Sequence, residues 1–418
     1  MTAGRRIFGN LDCEAEFAAS YSRSSGRGAA IPRPSLTQAA LDNAAALATL
    51  LRALAADGDR LWTPMPVAPE RLAEVPGLPR PELESGPPAA LAASGRLLAW
   101  GETQTAAALR RAAGSADIGR RRRRHYNAGA VGATPASPGL HELLWRLPTA
   151  DPAVAAKVHH RAFALDVATR LGCALPGAAM LTSAAELERH LRTAGTDAWV
   201  VKAPLSAAGR SRHVVQGNPT PADRRRVERL FARHRELLFE PWLDRRDDFG
   251  IAGTITDDSV PRIGFHRSFT AARGAFLGVE LRASFAGIHD LDDRERQRLE
   301  EVFDGVSQAL LAAGYRGPFG IDCWRYRRPS GELNFHPLGE INARMTLGIV
   351  ARALVDRVRE PLGIDRDATV RLRWGAGDPP DGAVPLLHRG DSARSLAAWL
   401  DYPDPAIGKS DSGRPRVA

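Results

Sequence analysis

Two short stretches near the carboxyl end decide the fold class of this 418-residue chain: Ile321-Asp322-Cys323-Trp324 and Leu338-Gly339-Glu340-Ile341-Asn342-Ala343-Arg344. Between them lies Pro329-Ser330-Gly331, a combination that is typical of a turn. The two stretches are therefore predicted to be the strands of a β-hairpin that carries acidic residues on both strands.

The polar side chains of this hairpin are of the kinds found in metal and phosphate sites. Alternate residues of a strand point to one face, so Glu340, Asn342 and Arg344 line up together near Asp322. Oxygen donors of this kind suit Mg²⁺ or Mn²⁺, and arginine can neutralise a phosphoryl group or clamp a carboxylate. The alternative is an ordinary surface ion pair between Glu340 and Arg344. We favour metal ligation by Asp322, Glu340 and Asn342.

The order of acid, turn and Glu-x-Asn-x-Arg resembles the metal-binding hairpin of the ATP-grasp superfamily, and the resemblance covers about residues 156 to 350. It implies an α/β (α+β) protein with an ATP-grasp fold. The implied domains are a pre-ATP-grasp-like α/β domain (1–150), an ATP-grasp domain (151–360) and a weakly structured C-terminal extension (361–418). Periodicity also predicts a single helix over 159–170 and a strand over 198–203 that ends near Lys202.

Further segments follow the order found in the superfamily. The resemblance implies a strand lysine and a helix cation on the ATP phosphates, a glycine-rich phosphate loop, a hinge that binds adenine mainly through its main chain, and an acid facing the ribose. The residues that match these parts are Arg161, Lys202, Ser206, Gly209, Arg210, Ser211, Glu240, Leu243 and either Asp247 or Asp248.

Two features depart from the superfamily pattern. The phosphate loop has one glycine, Gly209, where several are usual. Some members also carry an arginine just before the first metal acid, whereas Phe319 and Gly320 stand there in this chain. The resemblance therefore leaves Arg344, Arg267 or Arg273 to stabilise the charge that develops during catalysis.

The formal net charge of +9 raises the alternative of a nucleic-acid partner. Of the 57 basic residues, however, only Lys157, Lys202 and Lys409 are lysines, so arginine is the general surface choice of this chain. A retained lysine then indicates a need for a compact ammonium group. The run Arg120–Arg124 has no aromatic neighbour apart from Tyr126, which favours a solvated loop, and a nucleic-acid partner is not expected.

No apolar run approaches the roughly 18 residues of a membrane span, no export segment is apparent, and the three cysteines are scattered. These features predict a soluble cytoplasmic protein. The resemblance implies an ATP-dependent ligase acting on small-molecule carboxylate and amine substrates, without a membrane partner. A nucleotide-binding regulatory or nucleic-acid-associated protein, a small-molecule kinase and a homodimeric assembly remain open alternatives.

Overall fold

A computed structural model describes residues 4–24, 36–91, 95–113, 139–206, 211–257, 259–271, 276–284, 291–328, 330–392 and 395–402. Within these ranges the chain forms one parallel sheet and two antiparallel sheets, with helices packed against them. No helix in these ranges is both long and apolar enough to cross a membrane.

The amino-terminal part is an α/β domain, as the sequence predicts. Its four strands are parallel and lie in the order β3-β2-β1-β4. The strands are β1 (Arg6–Phe8), β2 (Arg60–Trp62), β3 (Glu82–Glu84) and β4 (Leu97–Ala99). The helices are α1 (Cys13–Ser24), α2 (Gln38–Ala48), α3 (Gln104–Ala112) and α4 (Leu140–Arg146), with a 3-10 helix over Thr49–Leu54.

A small antiparallel sheet follows, with the strand order β5-β8-β6-β7. Its strands are β5 (Ala179–Leu181), β6 (Ala198–Lys202), β7 (Arg212–Gln216) and β8 (Leu237–Pro241). The helices of this part are α5 (Pro152–His159), α6 (Arg161–Arg170), α7 (Ala184–Ala194) and α8 (Pro221–Arg233). Trp199, Val201 and Phe239 form a buried core with residues of α7 and α8. Because strand residues alternate, Lys202 and Glu240 point away from that core.

The large antiparallel sheet has the order β13-β12-β9-β10-β11-β14-β16-β15. Its strands are β9 (Asp244–Ile255), β10 (Arg262–Thr270), β11 (Phe276–Arg282), β12 (Gly317–Arg327), β13 (Leu333–Asn342), β14 (Thr369–Gly375), β15 (Val384–Leu387) and β16 (Ala397–Asp401). Helix α9 (Asp293–Ala312) covers one face, where Phe303 lies against Gly253. Helix α10 (Leu347–Val358) covers the other, where the His266 ring lies between Gly250 and Gly348.

The prediction of one helix over 159–170 is wrong, because the chain is extended at His160 (φ −70°, ψ 135°). The His160 ring Nδ1 accepts a hydrogen bond from the Ala162 N–H at 3.1 Å and so caps α6. A helix cap satisfies a donor that has no partner inside the helix. The break therefore places Arg161 at the first position of a new helix.

The expectation of a weakly structured C-terminal extension is also wrong for the described part of residues 361–402. Strand β14 pairs with β11 and β16, which extends the large sheet by three strands. Its alternating buried residues, Val370, Leu372 and Trp374, provide the period of two that a half-buried strand requires. Arg371 and Arg373 stand between them and point to the other face, so an assignment from composition misses this alternation.

The amino-terminal domain is packed firmly on the large sheet. Arg52 is fully buried and donates hydrogen bonds to the carbonyls of Ala73, at 2.9 Å, and Leu386, at 3.2 Å. One hydrophobic core contains residues of both parts, such as Ile7 and Ile321. The loops that follow β1 and β4 are thereby held next to the end of β13.

Candidate functional site

The hairpin of β12 and β13 brings the predicted metal ligands together. Asp322 and Glu340 are direct cross-strand partners, and Asn342 lies opposite Gly320 two pairs along. The Asn342 Nδ2 donates a hydrogen bond to Asp322 Oδ2 at 3.1 Å. Enclosure by the protein raises the pKa of Asp322 to about 7, and the Glu340 carboxylate contributes. Asp322 is nevertheless exposed at the cleft, so solvent screens part of this repulsion.

These three side chains fit a hard divalent cation. Two carboxylates directly opposite one another on a sheet repel, and a cation between them removes that cost. The described residues hold no cluster of three or more His, Cys, Asp or Glu side chains suited to a metal. A set of two carboxylates and one amide is sufficient for Mg²⁺, which keeps waters and takes phosphate oxygens as further ligands. Asp322, Glu340 and Asn342 could therefore hold Mg²⁺ or Mn²⁺.

Lys202 and Glu240 form an ion pair on the face of the small sheet opposite its core. Burial lowers the pKa of Lys202. Burial alone would raise the pKa of Glu240, but the Lys202 ammonium outweighs it, and the pKa of Glu240 is lowered. A narrow cavity separates this sheet from β13, with Leu238 and Glu240 on one side and His336 and Leu338 on the other. The small sheet and the hairpin are thus the two walls of a cleft.

Arg161 joins these two walls. Its Nη2 donates to Glu340 Oε1 at 3.0 Å, and its Nη1 donates to Ser206 Oγ at 3.1 Å and to the Ala203 carbonyl. Its backbone N–H donates to the Pro204 carbonyl at 3.0 Å. A cation in this position can hold phosphate oxygens between the loop and the metal ligands.

The predicted phosphate loop connects β6 to β7. Ser206 lies at its start, and Ser211 at its end has a left-handed backbone with φ 56°. The Ser211 carbonyl accepts a hydrogen bond from the Ala203 N–H at 2.9 Å, which closes the base of the loop. Some of the residues named in the sequence analysis lie outside the described ranges. They are Gly209, Arg210, Arg273 and the run Arg120–Arg124.

Arg344 is held by residues of two domains. Its Nε donates to Glu14 Oε1 at 2.7 Å, its Nη1 to the Met345 carbonyl at 2.9 Å and its Nη2 to Asn342 Oδ1 at 3.0 Å. Its guanidinium carbon lies 5.5 Å from the centre of the Trp100 ring. Burial alone would lower the pKa of Arg344, but the Glu14 carboxylate raises it above the ordinary value. Two of the five guanidinium N–H groups remain without a partner among the described residues.

Glu14 was not identified from the sequence. It belongs to α1, which begins shortly after β1 ends, and the carboxyl ends of parallel strands are where α/β sheets commonly bind ligands. That rule, applied to the loop after β1, is the signal that could have found it. The side chain is only 3% exposed, so its charge depends on Arg344 for compensation.

Arg267 and Asp247 are not brought to this cleft. Arg267 is the cross-strand partner of Phe249, whereas Asp322 is the partner of Gly250, so the two side chains leave opposite faces. Arg267 instead forms an ion pair with Asp247 on the face that α9 covers. The roles expected of Arg267 and Asp247 stay predictions, but neither side chain lies on the face of the sheet that carries Asp322.

Asp248 and the hinge remain on the cleft side. Thr270 Oγ1 donates to Asp248 Oδ2 at 3.1 Å, and the Asp248 charge adds to the effects that raise the pKa of Asp322. In the hinge, the Leu243 carbonyl accepts a hydrogen bond from the Arg245 N–H at 2.9 Å. Of the two acids that the sequence left open, Asp248 is the one that lies on the same face of the sheet as Asp322.

The fold of this chain is similar to the folds of two solved synthetase structures. N5-carboxyaminoimidazole ribonucleotide synthetase from Thermus thermophilus matches with a TM-score of 0.50 and 13% identity, over 95% of this chain and 92% of that one. N5-carboxyaminoimidazole synthetase from Staphylococcus aureus matches with a TM-score of 0.50 and 10% identity, over 96% and 94%. Neither protein-family models nor curated protein sequences match the chain. The chain has the ATP-grasp fold, preceded by an amino-terminal α/β domain.

Lys202→Ala is expected to weaken ATP binding by roughly tenfold or more, because a hydrogen bond to a charged group contributes about 1.5–3 kcal/mol. Titration calorimetry with ATP and Mg²⁺ measures the change. Lys157→Ala is the matched control, since Lys157 is exposed on α5. Equal ATP affinity of the Lys202 variant and the wild type would show that the ammonium does not contact the nucleotide.

Proposed function

We propose that this chain is an ATP-dependent ligase that activates a carboxylate as an acylphosphate for attack by an amine or a similar nucleophile. The observation that carries the proposal is the pairing of Asp322 with Glu340 on one wall of a cleft and of Lys202 with Glu240 on the other. The acidic residues of the first wall can hold a metal ion, and the buried Lys202 ammonium of the second can neutralise phosphate charge. Phosphoryl transfer requires both kinds of group.

Different residues of the cleft would bind different parts of ATP. The main chain of the hinge around Glu240 and Leu243 would bind the adenine, and Asp248 would face the ribose. Lys202 and Arg161 hold the phosphates, with Ser206 at the start of the loop. Mg²⁺ held by Asp322, Glu340 and Asn342 would neutralise charge on the phosphate oxygens.

Arg344 would bind the substrate carboxylate. Its two N–H groups without a protein partner in the described ranges can clamp a carboxylate, while its contacts with Glu14 and Asn342 fix the guanidinium beside the metal ligands. A carboxylate oxygen held there attacks the γ-phosphorus and ADP leaves. The nucleophile then attacks the acyl carbon and displaces phosphate, so no side-chain nucleophile is required.

The two solved structures described above are synthetases by name, which supports the ligase class. Identities of 10% and 13% support the fold and no particular substrate. Among the alternatives, a kinase would release a stable phosphate ester, and a nucleotide-binding regulatory protein would show no turnover.

A screen of amino acids and other small carboxylates for ADP formation, with mass spectrometry of the products, tests the proposal. The expected result is ADP and phosphate release that requires Mg²⁺, a carboxylate and an amine, together with an amide-type product. A phosphate ester as the final product would identify a kinase. ATP binding without turnover across the whole panel would favour the regulatory alternative.

A further inference from the structure

Arg245 lies at the centre of the cleft, although neither the sequence motifs nor the assignments above include it. It is the second residue of β9, directly after the hinge. Its Nη1 lies 3.7 Å from Asp248 Oδ1, and its charge acts on the pKa values of Lys202, Glu240 and His336. It therefore lies between the Lys202–Glu240 wall and the hairpin.

The Arg245 guanidinium is held flat against an aromatic ring. Its central carbon lies 3.5 Å from the centre of the Trp324 ring. The Trp324 ring is itself fixed, because it packs on Gly339, where any side chain would collide with it, and on His336 at 4.5 Å between ring centres. Stacking on an aromatic face orients a guanidinium and leaves its N–H edge available.

Arg245 also differs from the other cations of the cleft in its contacts. Arg161 and Arg344 are hydrogen-bonded to protein groups, and Lys202 is paired with Glu240. Within the described ranges the Arg245 side chain makes no hydrogen bond, and 34% of it is exposed. Its one ion pair in these ranges, with Asp248 at 3.7 Å, is too long for a hydrogen bond, so the five N–H donors of the guanidinium remain available to an incoming acceptor.

We propose that Arg245 is a nucleotide-binding residue whose guanidinium donates to a phosphate oxygen of ATP. The proposal rests on the proposed function, since it requires ATP in the same cleft.

Titration calorimetry with ATP and Mg²⁺ on Arg245→Gln, Arg245→Lys and Arg246→Gln tests the proposal, alongside thermal unfolding without ligand. Arg246 is the matched control, because it is the exposed neighbour that pairs with Asp244. Arg245→Gln is expected to weaken ATP binding about tenfold or more, Arg245→Lys by less, and Arg246→Gln not at all. The unfolding temperature without ligand should stay unchanged in all three variants.

Two outcomes would overturn the proposal while leaving the proposed function intact. One is an unchanged ATP affinity in Arg245→Gln. The other is an equal loss of ATP affinity in Arg245→Gln and Arg245→Lys, together with a lower unfolding temperature of both ligand-free variants. That result would show that Arg245 only supports Trp324. Failure of the wild type to bind ATP would instead remove the proposed function and this inference with it.

Discussion

Glu340→Gln is expected to abolish ADP formation, because its carboxylate is a proposed metal ligand opposite Asp322. The amide keeps the size of the side chain and can still accept the Arg161 hydrogen bond, so the fold should be retained. The amide lacks the negative charge that holds a divalent cation. Turnover should therefore fall at least about 100-fold, as it does when other groups that stabilise transition-state charge are removed.

The matched control for this experiment is Glu332→Gln in the same hairpin. Glu332 is exposed, and its Oε2 lies 3.6 Å from Arg328 Nη1. This pair lies at the turn end of the hairpin, away from Glu340. An exposed pair of this kind contributes about 0–1 kcal/mol, so the control should keep its activity and stability. Near-normal ADP production by Glu340→Gln would show that the hairpin is not the metal site.

Arg344→Gln is expected to destabilise the protein by about 3–5 kcal/mol, the cost typical of removing one partner of a buried ion pair. The reason is Glu14, whose buried carboxylate would lose its compensating guanidinium. Chemical denaturation followed by circular dichroism measures the free energy of unfolding. The variant should also lose carboxylate-dependent turnover, because it lacks the clamp.

The double variant Glu14→Gln/Arg344→Gln separates the two effects of that change. Neutralising Glu14 removes the uncompensated charge, so most of the lost stability should return while turnover stays low. The exposed pair of Arg328 and Glu332 serves as a control cycle with little coupling. Equal instability of the single and double variants would show that the Glu14–Arg344 contact does not stabilise the interface between the domains.

Those parts of the site that depend on neighbouring residues in the chain could be predicted from sequence. The hairpin that carries Asp322 and Glu340 is local, and strand alternation alone places Asn342 on the same face as Glu340. Lys202 was identified by its rarity in an arginine-rich chain, and the structure places it in the cleft. The structure brings Asp322, Glu340 and Asn342 together, whereas the roles of these residues and of Lys202 stay predictions.

The contacts that sequence reasoning missed join distant segments or depend on strand register. Glu14 and Arg344 are 330 residues apart, and no local pattern connects them. Arg267 was placed in the site, yet a shift of one strand position moves a side chain to the opposite face of a sheet. Arg245 was overlooked because its stacking on Trp324 arises only when β9 pairs with β12.

The measurement that tests the central claim most directly is a calorimetric titration of the full chain with ATP, performed once with Mg²⁺ and once with a chelator. Saturable binding of one ATP per chain that is strengthened by Mg²⁺ and weakened in Lys202→Ala is the expected result, because the cation and the ammonium hold the same phosphates across the cleft. No ATP binding in either condition, or binding that neither Mg²⁺ nor Lys202→Ala alters, would contradict a nucleotide and metal site between these two walls.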